Sequence, residues 1–220
     1  MKKPAAFFFD LDGTLVDTEM PWAAAIAAAL ADRGAHTTPE HVLSVITGRS
    51  WFDINAALAA EFPQISGMTP AQAGEILEPY FKRVVPDPKS IVMRSSVEFL
   101  KRAAEVAPCA IVSGSCRDEI LKAAALCGVD GLLGFVLGAE DYPRGKPAPD
   151  CYLKAAAIAG ADPGECVAVE DSAAGVRSGL DAGMRVIGLR RGRPGAVPRY
   201  FDGCEWVVED LSELDPSAIF

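Results

Sequence analysis

The chain has 220 residues, half of them hydrophobic and 23% charged, with a formal net charge of −9 and a sequence pI near 4.8. That length suffices for one substantial core, or for a core domain carrying a smaller insert. The acidic balance and the lack of any Lys/Arg run argue against nucleic acid and acidic membrane surfaces as partners.

Lys2-Lys3 precede an apolar run, but Asp10 ends it after too few residues for a signal peptide. The alanine-rich residues 22–31 are too few to span a bilayer. No membrane association and a cytoplasmic location are therefore the expectations, with a monomer as the default. The cysteines at 109, 116, 127, 151, 166 and 204 form no CxxC pair and read as reduced, apolar fillers, Cys116 standing apart by its position.

In chain order, residues 5–9 (Ala-Ala-Phe-Phe-Phe) suit a strand buried on both faces. The run stops at Asp10 and Asp12, which alternation in an extended chain would point to one side, roughly 7 Å apart. Two carboxylates at the end of an apolar strand call for a cation or a shared proton. Gly13 permits a sharp turn and leaves room beside the backbone.

Residues 18–86 read as helices only. Thr18 caps a first helix that Gly34 stops; Thr38-Pro39 and Thr69-Pro70 each set a capping hydroxyl before a proline at the first helical position. Ser50 with Asp53 resembles a capping box whose helix Pro63 limits, and Pro79 is expected to kink or break the last helix. From residue 90 the rhythm changes. Helices are expected over 96–106, 117–127, 149–159 and 173–182, alternating with apolar strands over 109–112, 132–137, 167–169 and 185–189, and an edge strand over 206–208. Strand–helix alternation predicts an α/β fold with a parallel, Rossmann-like sheet covered on both faces. The expected division is a core of residues 1–16 and 87–220, interrupted by a helical-bundle insert of residues 17–86.

Ligands of such sheets bind at the C-terminal strand ends. Four of these ends carry polar residues: Asp10 and Asp12; Ser113-Gly114-Ser115; Lys146 in the loop after the third strand; Glu170-Asp171-Ser172. If they converge, four carboxylates face one ammonium, and an all-oxygen set favours Mg²⁺. Ser113 and the backbone N–H of Gly114, near a helix start, offer donors to an anion. A carboxylate nucleophile among a cation, a lysine and N–H groups suits phosphoryl transfer.

These residues resemble a known family. Asp10-Leu-Asp-Gly-Thr14, Ser113 after a strand, Lys146 in Gly-Lys-Pro-Ala-Pro-Asp, and Glu170-Asp171-Ser172 match the four motifs of the haloacid dehalogenase superfamily in order and spacing. Asp17-Thr18-Glu19 and Glu-Asp-Ser-x-x-Gly look like its β-phosphoglucomutase-like subgroup, with a helical C1-type cap. The resemblance implies that Asp10 is the nucleophile and Asp12 the proton carrier. It implies that Ser113, Gly114 and Lys146 bind the phosphoryl group. Mg²⁺ would be held by Asp10, the Asp12 carbonyl and Asp171, with Glu170 direct or through water. The superfamily's dehalogenases and phosphonatases lack an acid at the position of Asp12, which turns the expectation away from both chemistries. Its mutases carry a cap histidine where this chain has Trp22, which favours hydrolysis of a small phosphorylated metabolite, a sugar phosphate or phosphoglycolate, over phosphomutase activity. A non-catalytic binding protein on the same fold is the remaining alternative.

Outside the motifs, Arg49 in Thr47-Gly48-Arg49-Ser50 either meets substrate or is a solvated loop arginine, and Arg117 either binds substrate or lies in a helix's first turn. Trp22 and Trp51 line the cap or pack within it. His36 and His41 read as surface residues.

Overall fold

The computed structural model describes residues 3–47, 51–191 and 196–219. The chain divides into two compact units, one of residues 1–16 with 92–220 and one of residues 17–91.

The first unit is a six-stranded sheet of β1 (Ala6–Phe9), β2 (Cys109–Val112), β3 (Leu133–Leu137), β4 (Cys166–Glu170), β5 (Arg185–Leu189) and β6 (Trp206–Val208). All pairings are parallel, in the order β3-β2-β1-β4-β5-β6. The three phenylalanines of β1 show why the strand is apolar throughout. Phe7 and Phe9 turn to one face and meet Phe99 edge-on, at ring-centroid distances of 6.2 and 6.1 Å. Phe8 turns to the other, into a cluster with Ala110, Tyr152, Ala155 and Ala168. All three are 0% exposed, each burial contributing roughly 2–3 kcal/mol. The chain passes from the edge strand β3 to β4 on the far side of β1, so order reverses around β1 and a crevice opens at its C-terminal end.

In this unit the first helix runs over Arg94–Ala104 with Met93 at its N-cap. It starts two residues before the expected Ser96, which lies inside the helix, buried at 1% exposure. The remaining helices are Arg117–Cys127, Asp150–Ala159 and Ala173–Asp181.

The second unit begins with helix α1 (Glu19–Ala31), followed by α2 (Pro39–Ile46), α3 (Trp51–Glu61) and α4 (Pro70–Val84). In chain order the helices of the first unit are then α5, α6, α7 and α8. Thr38 Oγ1 accepts the His41 N–H, and Thr69 forms a full capping box with Gln72. Thr18 stands at the N-cap of α1 without a side-chain cap bond, and α1 ends at Ala31, ahead of Gly34. The box expected at Ser50 lies outside the described residues. Helix α4 does not break at Pro79 but continues to Val84. Pro79 and Glu75, whose carbonyl loses its i+4 donor there, are both exposed, so water can take the missing bond. Ala23, Ile26, Leu30, Val42, Leu58 and Leu77 belong to this unit's own core.

The boundary expected at residue 87 falls after Ile91. Within residues 87–91, Ser90 N–H donates to the Asp87 carbonyl and Lys89 N–H to the Asp87 carboxylate, while Asp17 N–H donates to the Ile91 carbonyl and ties the segment to the start of the helical unit. Val92 instead bridges Val16. Among the described residues no helix is long and apolar enough to cross a membrane.

Candidate active site

Each strand end delivers its side chain for a local reason. Asp10 N–H donates to the Val169 carbonyl at 3.0 Å, so β1 keeps its pairing with β4 one residue past Phe9 and fixes the Asp10 backbone. The chain then leaves the extended form. Gly13 N–H reaches the Val16 carbonyl at 2.7 Å and Leu15 N–H the Leu11 carbonyl at 2.8 Å, closing a tight turn. Asp12 lies past the end of β1, in an isolated bridge to Val16, and the two carboxylates meet different partners, Lys146 for Asp10 and Ser115 for Asp12. Gly13 has φ +86°, and a Cβ there would lie 2.3 Å from Asp171 Oδ2. Only glycine allows this turn against that carboxylate.

Lys146, in the β3–α7 loop with a cis bond to Pro147, is the hub. Its ammonium donates to Asp10 Oδ1 and Glu170 Oε1, both at 2.6 Å, and to the Val112 carbonyl at 3.0 Å. Ligand oxygens of Asp10, Glu170 and Asp171 lie within 4.8 Å of one another. Glu170 is 0% exposed and also accepts the Tyr152 hydroxyl at 2.6 Å. Its carboxylate packs on the first turn of α8, where a Cβ on Gly175 would fall 1.8 Å from Oε2. Asp171 is 1% exposed, with Arg191 Nη1 at 3.5 Å from Oδ2.

This electrostatic balance is uneven. Burial pushes the Asp10 carboxyl well above its usual range, with Lys146 opposing and Glu170 and Asp171 adding to the rise. The Lys146 ammonium is disfavoured by burial but held well above its ordinary value by Asp10 and Glu170. Lys146 thus stays charged, while the surplus of buried carboxylate calls for a further cation. The donor set is all oxygen and crowded, which fits a hard divalent ion rather than zinc or copper.

Ser113, 1% exposed, accepts the Ser115 N–H at 3.1 Å, which leaves its own hydroxyl proton to donate. Tyr142 hydroxyl fixes the Ser113 carbonyl at 2.7 Å. Asp12 stands apart from the three-carboxylate group; its Oδ2 accepts the Ser115 hydroxyl at 2.9 Å. Gly114 is exposed and lies two residues before Cys116, the N-cap of α6. The start of α6 is itself filled by carboxylates, Glu119 on Cys116 N–H at 3.2 Å and Glu140 on Arg117 N–H at 2.9 Å. An anion would therefore meet the Ser113 loop rather than the helix end.

Other expectations fall elsewhere. The Arg117 guanidinium bonds Asp141 at 2.5 Å, within the first turn of its helix. Trp22 packs on Phe81 inside the helical unit, ring centroids 4.2 Å apart. Arg49 and its neighbours 48 and 50 lie outside the described residues. His36 is exposed, and His41 pairs with Glu61 at the surface. All the cysteines are free thiols; burial pushes Cys109 up to about 12. Cys116 is exposed rather than buried, and its thiol too is raised, first by partial desolvation.

Sequence reasoning placed Ser115 at a strand end but gave it no role, and did not single out Tyr152 or Arg191. Ser115 had a signal, two residues beyond Ser113 in the same loop. Tyr152 and Arg191 had none: one lies on a helix read for periodicity alone, the other just past a strand end, in the left-handed region at φ +59°.

Fold and centre together define a class, a Rossmann-like α/β core with a buried carboxylate–lysine cluster at its topological switch point. The profile of haloacid dehalogenase-like hydrolases matches residues 4–183. Hexitol phosphatase A of Escherichia coli is 34% identical over 219 residues, covering 94% of this chain and 92% of its own. The 6-phosphogluconate phosphatase of E. coli is 29% identical over 195 residues, covering 84% and 82%. A haloacid dehalogenase family hydrolase from Deinococcus radiodurans, solved with bound phosphate and sodium, is 30% identical with a TM-score of 0.71, over 96% of this chain and 94% of that one. The chain belongs to the haloacid dehalogenase-like hydrolase family, and the relatives named here for an activity are phosphatases.

Proposed function

We propose that the protein is a Mg²⁺-dependent phosphatase that hydrolyses a small phosphate monoester through an aspartyl-phosphate on Asp10. The observation that carries this reading is the buried Asp10–Lys146 pair at 2.6 Å within the three-carboxylate cluster. The carboxylates of Asp10, Asp171 and Glu170, with the Asp12 backbone carbonyl, would hold Mg²⁺. When bound, the ion neutralises charge on the transferring phosphoryl group.

The chain's own residues supply the rest. Asp10, with Oδ1 on Lys146, attacks phosphorus with its other oxygen; a P–O bond to Asp10 forms as the bond to the alcohol oxygen breaks. Asp12, held by the Ser115 hydroxyl, gives its proton to that alcohol. Water then attacks phosphorus, Asp12 takes the water's proton, and Asp10 leaves as the carboxylate. Lys146, the Ser113 hydroxyl and the Gly114 N–H stabilise charge on the phosphoryl oxygens throughout.

The relatives' names, hexitol phosphatase and 6-phosphogluconate phosphatase, support a polyol or sugar phosphate as substrate, with phosphoglycolate also in range. The test is phosphate release from a panel of such esters. It should require Mg²⁺, stop on chelation and disappear in Asp10→Asn; turnover surviving that change overturns the assignment. Conversion of β-glucose 1-phosphate to the 6-phosphate, with little phosphate freed, would put a phosphomutase in its place.

A further inference from the structure

Tyr152 is 0% exposed and belongs to none of the motifs, yet it touches both partners of the central ion pair. Its hydroxyl donates to Glu170 Oε1 at 2.6 Å, the oxygen that also receives Lys146 at 2.6 Å. The Lys146 ammonium stands 5.1 Å from the centre of the Tyr152 ring, within the reach of a cation–π attraction. One side chain thus orients the lysine's carboxylate anchor and supplies a second, aromatic wall beside the ammonium.

The support behind Tyr152 is stiff. The residue sits in the first turn of α7, with Ala155 and Ala156 of that helix fully packed. The start of α7 is tied down by Arg144 to Asp150, at 3.0 and 2.8 Å, and by the Lys154 ammonium on the Asp141 carbonyl. Just before the helix, the Ser178 hydroxyl of α8 holds the Ala148 carbonyl at 2.7 Å. A lysine has a long, flexible stem, and a phosphoryl-binding lysine is effective only when its ammonium stays put.

We propose that Tyr152 is a positioning residue for Lys146, acting through Glu170 and through its own ring, so that the ammonium meets the phosphoryl group from a fixed place. This rests on the reading of the centre as a phosphatase site. Tyr152→Phe keeps the ring and removes the bond to Glu170.

The experiment is a calorimetric titration of inorganic phosphate into Mg²⁺-saturated protein, for the wild type, Tyr152→Phe, Lys146→Met and the double variant. Tyr152→Phe should weaken phosphate about three- to tenfold when Lys146 is present and less than about twofold when it is Met, the coupling expected of residues in one network. Equal losses in both backgrounds, or no loss in either, overturn the proposal. If Lys146→Met does not fold, Glu170→Gln replaces it in the cycle, and additivity with Tyr152→Phe is then the overturning result. Phosphate affinity indifferent to Lys146→Met would tell against phosphoryl binding at this centre and take the Tyr152 proposal with it. A Lys146 effect without a Tyr152 effect removes Tyr152 alone.

Discussion

The strand-bearing unit buries a cluster of carboxylates, with Glu170 at 0% and Asp171 at 1% exposure, whereas the helical unit keeps the ion pairs His41–Glu61 and Glu78–Lys82 at its surface. The interior of the helical unit is built from Ala23, Ile26, Leu30, Leu58 and similar side chains. A buried carboxylate is costly by several kcal/mol unless it is paired and hydrogen-bonded. Three held together around Lys146 therefore lower the stability that the same volume of apolar side chains would give, and such an arrangement is expected where it serves chemistry. One unit is organised around a reaction and the other around packing and caps.

Lys146→Met should break the comparison most sharply. It removes the ammonium shared by Asp10 and Glu170, and kcat/KM should fall by about a thousandfold or more. Trp22→His, in the helical unit, should stay within about tenfold. Steady-state rates on the best ester of the panel measure both, and comparable losses would erase the functional distinction between the units.

Next in size is packing beneath the site. Phe8→Ala empties a fully buried position in β1 and should cost about 3–5 kcal/mol in a urea melt. A loss under about 1 kcal/mol would mean that the strand is not the core element its burial indicates.

Thr69→Ala removes the capping box of α4 and should cost about 1 kcal/mol, with kcat unchanged. This sharpens the comparison, because a helical-unit change that altered kcat would bring that unit into the chemistry.

The smallest effect is a pH dependence. The Arg144 guanidinium holds the Asp150 carboxyl below its usual range. A depressed folded value means that the pair stabilises the fold above the unfolded pKa of about 3.9, and that this is lost as pH falls through the lower folded value. Asp150→Asn should therefore melt slightly below the wild type at about pH 7, with the gap closing toward about pH 3. A gap that widens on acidification would reverse the sign.

Much of this molecule is legible locally. The strands at 109–112, 185–189 and 206–208 and the helix at 117–127 fall where apolar runs and caps put them. That α4 runs on through Pro79 without a break was not legible, because a proline's cost depends on whether water reaches the carbonyl it orphans, which is a matter of exposure and not of sequence. The partner of Asp12 was not legible, because that residue lies past the strand end and meets a hydroxyl from the loop after β2. At the boundary after Ile91 a hydrogen bond joins residues 17 and 91, far apart in the chain, which no local signal reports.

The sequence by itself determined the strand–helix rhythm and the polar residues at the strand ends, because burial periodicity and motif spacing are properties of neighbouring residues. Only the tertiary structure decided that Ser115 holds Asp12 and that Tyr152 and Lys146 share one oxygen of Glu170. Those contacts join residues 18 to 103 positions apart. Such pairings exist only once parallel strands bring their ends to one crevice, where low dielectric makes each buried charge depend on the few groups that reach it.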